Sequence, residues 1–170
     1  MVDLVAFGSI QADPTDPDLA WRRLEATQRF DSLPSSLLEG EEGTRVVCIS
    51  DTHARHQALS VPEGDVLIHA GDFTSVGKPG DFLGFESWIS SLPHPAKIVI
   101  GGNHDLLLQE SFYNENWRRF HRDGPYSPGS CRRRMVESEA FIYLEDSGVE
   151  LFGYRFFGSP WQPAFYNWAF

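Results

Sequence analysis

The sequence predicts an α/β fold, and three observations carry that prediction. Short, unbroken apolar runs occur at residues 45–50 (RVVCIS), 65–70 (DVLIHA) and 97–102 (KIVIGG). Stretches with apolar residues at helical spacing lie between them. Each run also ends in a cluster of polar residues and glycine. Continuous apolar strands separated by helices suit a parallel sheet buried on both faces. The chain has 170 residues, which favours one domain and is long enough to bury a substantial core.

Residues 1–43 show no strand alternation and hold nine acids against three arginines, a net of −6. They read as an acidic, weakly packed N-terminal extension with one short helix over 18–30, so the domain layout is 1–43 followed by a folded part over 44–170. The first and second apolar runs are then strands. Phe82, Phe85, Trp88, Ile89 and Leu92 lie at helical spacing and are stopped by Pro93, predicting a helix over 80–92 whose aromatic residues face the core. The third run is a strand, followed by a helix over 106–120. Residues 123–134 read as a loop. Residues 141–144 and 149–157 read as two further strands, with a hairpin turn at Asp146, Ser147 and Gly148.

Composition excludes several function classes. The net charge is −10, which argues against a binder of nucleic-acid polymers, whose footprint is a strong positive field. The six arginines between 118 and 134 are set against this acidic remainder and read as a solvated helix end and loop rather than a phosphate trap. No apolar run approaches the roughly 18 residues of a membrane span, and Asp3 occupies the region where a secretory leader is basic. There are two cysteines, Cys48 and Cys131, in no paired spacing. These features predict a cytoplasmic protein with no disulfide framework and no membrane contact. Cys48, mid-strand, is expected to be a buried thiol.

The chemistry concentrates at the strand ends, where open α/β sheets place their ligands. Asp51-x-His53 follows the first strand, Gly71-Asp72 the second, and Gly101-Gly102-Asn103-His104-Asp105 the third. Separately each is weak: an Asp near a loop His, a turn dipeptide, an Asn capping a helix. Together they offer carboxylate oxygens, an imidazole nitrogen and an amide oxygen, a donor set suited to Mn, Fe or Zn. One shared carboxylate can bridge two ions, and such a pair clamps the oxygens of an in-line phosphoryl displacement.

These blocks resemble the first three motifs of the calcineurin-like metallophosphoesterases. The longer strings VCISDTHAR, GDVLIHAGDFTSVG, KIVIGGNHD and GSPWQPAFYNWAF are similar, more narrowly, to the metallophosphoesterase domain-containing proteins related to cyclic-nucleotide phosphodiesterases. The resemblance covers residues 44–170. It implies an α/β/β/α sandwich, of which this chain would hold the N-terminal part. It also implies that Asp51 and His53 ligate a first metal, Asp72 bridges, and Asn103 ligates a second. His104 would stabilise or protonate the leaving alkoxide, Asp105 would orient His104, and a metal-bridging hydroxide would attack phosphorus. The implied cofactors are divalent ions, Mn first and Fe, Zn or Mg after it, and the implied substrate is a small phosphodiester or nucleotide.

The family pattern continues with a histidine and then a Gly-His-x-His pair, and residues after His104 offer only His121, in a different context. Three ligands are therefore without a candidate, and the expectation is one well-held ion, with the second weak. A vestigial, catalytically silent product is the competing reading. The last twenty residues hold nine aromatic side chains. Those over 152–157 are expected in the core, and the C-terminal edge is a possible protein-partner surface. His69, inside an apolar strand, is expected to be a core histidine, and His56 a loop residue facing substrate.

Overall fold

The computed structural model describes residues 43–170. The predicted extension, apart from Gly43, and its helix lie outside the described residues. Four strands, β1 (Val46–Ile49), β2 (Val66–His69), β3 (Ala96–Val99) and β4 (Ile142–Tyr143), form one parallel sheet in the order β1-β2-β3-β4. The register pairs Val46 with Val66, Val66 with Ala96, and Ile98 with Ile142. Helix α1 (Pro79–Ser91) connects β2 to β3, and α2 (Glu110–Phe120) and α3 (Pro128–Glu137) connect β3 to β4. Strands β5 (Ser147–Leu151) and β6 (Tyr154–Gly158) form a separate antiparallel pair.

Strand alternation divides the core in two. Leu67 and Val99 point to the helical side, where they pack with Phe82, Phe85 and Ile89 of α1 and with Tyr113, Cys131 and Met135 of α2 and α3. Phe73 stacks on Phe85, ring centroids 4.3 Å apart. Each such fully buried phenylalanine contributes about 1.5–3 kcal/mol by leaving water. Val66, Ile98 and Leu144 point the other way, onto Val149, Leu151 and Phe156 of the hairpin. The layers are thus helices, parallel sheet and hairpin, the first three of the expected α/β/β/α order.

Helix α1 forms where predicted: Pro79 supplies a preset first-turn φ, and Asp81 complements the helix dipole. The predicted helix over 106–120 is divided. Leu106–Leu108 form a 3₁₀ turn with all three side chains buried, and α2 starts only at Glu110. The predicted loop over 123–134 is corrected: α3 begins at Pro128 and buries Cys131 and Met135, one turn apart. Its arginines occupy the outer face, which masked the pattern.

The predicted strand over 149–157 is also corrected. It folds back on itself at Phe152 and Gly153, whose φ values of 53° and 81° are both left-handed, as a two-residue hairpin turn requires. Ser147 and Gly148 belong to β5 rather than to a turn. The aromatics expected in the core there are mostly exposed: Phe152, Tyr154 and Phe157 lie 52 %, 56 % and 73 % exposed, and Phe156 alone joins a core cluster. Cys48 is exposed as well. It shares a sheet face with Val46 on the edge strand β1, beyond the strands that the hairpin covers. No helix among the described residues is long and apolar enough to cross a membrane.

Candidate metal centre

The loops after β1, β2 and β3 leave the same edge of the sheet and are knitted together by backbone hydrogen bonds. Asp51 N–H donates to Gly71 O (3.1 Å), and His53 N–H to Asp72 O (2.9 Å). His104 N–H donates to Asp72 Oδ1 (2.8 Å). Asp51, His53 and Asp72 all have left-handed backbones, with φ of 56°, 43° and 54°. Non-glycine residues hold that conformation at a cost, and such residues cluster at functional sites. Close approach is essential here. A Cβ on Gly102 would lie 2.5 Å from the Asp72 nitrogen and nearer still to its Oδ1, so only glycine lets the third loop reach the second.

Asp105 lies at the base of this arrangement with no solvent exposure. Its two oxygens accept the N–H groups of Asp72, Thr74 and Gly102, each at 2.9 Å. Burial pushes its carboxyl up to about 7, opposed by those hydrogen bonds. The expected contact between Asp105 and the His104 ring is therefore replaced. Asp105 secures the backbone around Asp72, and the His104 ring is held by the Ser75 carbonyl, 2.6 Å from Nδ1.

His53, Asp72 and His104 each present a ligand atom, and these atoms lie within 4.8 Å of one another. The His53 and His104 rings meet edge to face, centroids 4.4 Å apart. Carbonyl oxygens only accept, so Nδ1 of His104 donates to Ser75 O, and Nδ1 of His53 donates to Thr74 O over 3.4 Å. Both rings are thereby left with Nε2 free, the tautomer that outer hydrogen bonds impose on metal-ligating histidines. Asp51 Oδ1 lies 3.9 Å from His53 Nε2. Asp51 also lines two adjoining clefts. One, about 380 Å³, contains His53, Ser75 and His104. The other, about 260 Å³, contains Asp72, Gly102 and Asn103.

The structure thus brings all six sequence-selected residues to one edge, with one difference in grouping. His104, set apart in the sequence reading as a proton donor, lies inside the donor cluster. Two nitrogens and a carboxylate with mutually close ligand atoms fit a divalent ion of the borderline class.

Three features were missed or misread in the sequence. Trp168 stacks on His104, centroids 4.2 Å apart and planes 26° from parallel. Arg119, grouped with the solvated arginines, donates to the carbonyls of Asn167 (2.7 Å) and Tyr166 (3.2 Å) and lies 5.7 Å from the Trp168 ring. His56 is buried beside Trp88 and Phe85 rather than facing substrate, and burial lowers its pKa. His69 is a core histidine as expected. Its Nε2 lies 3.0 Å from Thr52 Oγ1, and burial lowers its pKa to about 4. The pattern of hydrogen-bonding residues could not reveal Arg119 or Trp168, because their roles depend on contacts 47 to 64 positions apart in the chain.

A parallel sheet that gathers carboxylates, imidazoles and an amide at its carboxyl edge offers the donor set of a divalent-metal centre in an α/β protein. The sequence profile of the calcineurin-like phosphoesterases matches residues 44–166, and the chain belongs to that family, whose members use divalent metal ions. It is 41 % identical over 150 residues to human metallophosphoesterase domain-containing protein 1, covering 84 % of this chain and 45 % of that protein. It is 38 % identical over 163 residues to UPF0046 protein K07C11.7 of Caenorhabditis elegans, covering 91 % of this chain and 54 % of that protein. UPF0046 protein T07D4.2 of the same organism is 35 % identical over 173 residues, 91 % of this chain and 43 % of that protein. The chain spans about half the length of the curated relatives it matches.

Proposed function

We propose that this chain is a metal-dependent phosphodiester hydrolase acting on small or cyclic nucleotides, with manganese as the ion. The observation that supports this most is the convergence of the ligand atoms of His53, Asp72 and His104, the first two at left-handed backbone positions. Asp51 and His53 would hold the first ion and Asp72 would be shared, leaving Asn103 to a second, weaker position. Iron, zinc or magnesium are the alternative ions for the same donors. When bound, such an ion supplies positive charge at the phosphoryl oxygens and lowers the pKa of a coordinated water.

The chain's own residues do the rest. His104, its Nδ1–H fixed on Ser75 O, lines the cleft, where in its doubly protonated form it would pass the Nε2 proton to the leaving oxygen. Asp105 acts through the backbone, keeping Asp72 and Gly102 in register. Both cysteines are free thiols, which suits a cytoplasmic setting.

A second reading, a catalytically silent protein acting through contacts, is favoured by the aromatic edge, where Phe157 and Tyr166 are 73 % and 78 % exposed. One experiment separates the two. Hydrolysis of bis(4-nitrophenyl) phosphate with added Mn²⁺ is expected above a metal-only blank and is abolished in Asp72→Asn. Turnover that survives the substitution, or none above the blank, rejects the enzyme reading. Titration calorimetry is expected to find a single ion of useful affinity, and two tight ions would refute the ligand assignment.

A further inference from the structure

We infer that Trp161 is an aromatic subsite beside the metal-ligand cluster, on which the planar group of a phosphoester substrate, a nucleobase or an aryl ring, stacks. The inference rests on the proposed phosphoesterase site and adds to it the part of the substrate that lies beyond phosphorus.

Three observations lead there. The first is position. Trp161 lines the cleft of about 260 Å³ that Asp51, Asp72 and Asn103 also line. A phosphoryl group near those donors would place its substituent in the same cleft. The second is restraint. The indole N–H donates to Asp146 Oδ2 (2.8 Å), while Asp146 Oδ1 accepts the Ser159 hydroxyl (2.7 Å). Directly upstream, Gly158 is pressed so close to Leu144 and Ile100 that a Cβ would clash with both, which fixes where this segment leaves the sheet. The third is exposure. Trp161 is 57 % exposed and belongs to neither core cluster, with one edge-to-face neighbour, Phe170, at 5.5 Å.

A tryptophan held at its polar edge and bare on its ring gains little for the fold. It offers what a planar ligand needs, a large apolar face already oriented before binding. Stacking on such a face tolerates any base or aryl ring, so Trp161 selects for planarity rather than for one base. The polar anchor matters as much as the ring. Without Asp146 the indole could rotate against Phe170 and close the cleft.

The test measures binding without turnover. Adenosine 5′-monophosphate and ribose 5-phosphate carry the same phosphate and sugar, and only the first has a planar group. Affinities of both for the 170-residue chain with Mn²⁺ are measured by calorimetry. A ratio favouring the nucleotide by roughly fivefold or more is expected. It should fall to about one in Trp161→Leu and persist in Trp161→Phe, which keeps a ring. Asp146→Asn, which leaves the ring in place but weakens its anchor, should lower the ratio part of the way. A ratio near one in the unsubstituted chain, with both ligands bound only when Mn²⁺ is present, overturns the aromatic subsite and leaves the metal site standing. A preference that survives Trp161→Leu overturns it equally. No Mn²⁺-dependent binding of either ligand overturns the site itself, and the subsite with it.

Discussion

Replacing His69 with a residue that cannot titrate should flatten the acid side of the stability curve. His69 is wholly buried on β2, and burial lowers its pKa from 6.5 to about 4, helped by the nearby His56 and opposed by Asp51. In the folded state the ring therefore stays neutral between pH 6.5 and about 4, where the unfolded chain would already have taken up a proton. Between 6.5 and about 4 the unfolded state binds more protons, so stability is fully present above 6.5 and is lost as pH falls through that window. At about 1.4 kcal/mol per pH unit the full loss is about 3 kcal/mol, and roughly 2.5 kcal/mol of it falls between pH 7.5 and 4.5.

The unsubstituted curve alone would mislead, because Asp105 acts with the opposite sign. Its carboxyl is pushed up to about 7 from 3.8, so its burial costs stability as pH rises through that range. The informative quantity is the difference between the unsubstituted chain and His69→Gln, which keeps a donor and acceptor for Thr52. Urea unfolding of both, followed by tryptophan fluorescence with a chelator present, gives that difference at each pH. It should shrink by about 2.5 kcal/mol from pH 7.5 to 4.5, as the unsubstituted chain loses what the variant never had. A difference that is constant over this range would refute the assignment of a neutral, buried His69.

Other perturbations give equally direct outcomes. Gly102→Ala forces a Cβ against the Asp72 nitrogen and carboxylate, and should cost about 1–3 kcal/mol in thermal unfolding and weaken Mn²⁺ binding by calorimetry. Tyr113→Phe removes the hydroxyl that lies 2.7 Å from His121 Nδ1 and accepts the Tyr126 N–H. The resulting unpaired groups should cost about 1–3 kcal/mol in urea unfolding. Arg119→Met frees the Tyr166 and Asn167 carbonyls and the ring of Trp168. Limited proteolysis should then cut the C-terminal segment faster, and phosphodiester turnover should fall as His104 loses its stacked neighbour.

Three strands of the parallel sheet were readable because they are short and apolar and each ends in a polar cluster that no core strand would carry. The candidate donors stood out for the same reason: chemistry and strand end coincide at Asp51, Asp72 and Asn103. The fourth strand, β4, reads from the sequence as one arm of a hairpin but pairs with β3 instead. What the sequence hid was set by long-range packing. In α3 three consecutive arginines interrupt the buried residues Pro128, Cys131 and Met135, so its periodicity is faint. The hairpin turn uses Phe152, a residue type that rarely takes left-handed φ, so nothing marks it as a turn. The role of Asp105 was misjudged because a buried carboxylate beside a histidine looks like its orienting partner. Here it serves three backbone N–H groups instead.

The left-handed backbone at Asp51, His53 and Asp72 bears on any attempt to improve this protein in the laboratory. Glycine would relieve the backbone at Asp51 and His53, by about 1 kcal/mol each, whereas at Asp72 it would also delete the carboxylate that accepts the His104 N–H. Selection for heat tolerance alone should therefore enrich glycine at the first two of these codons, and the hardiest survivors would lose two of the proposed metal donors. A library from this chain keeps its chemistry only if every round also rewards metal retention.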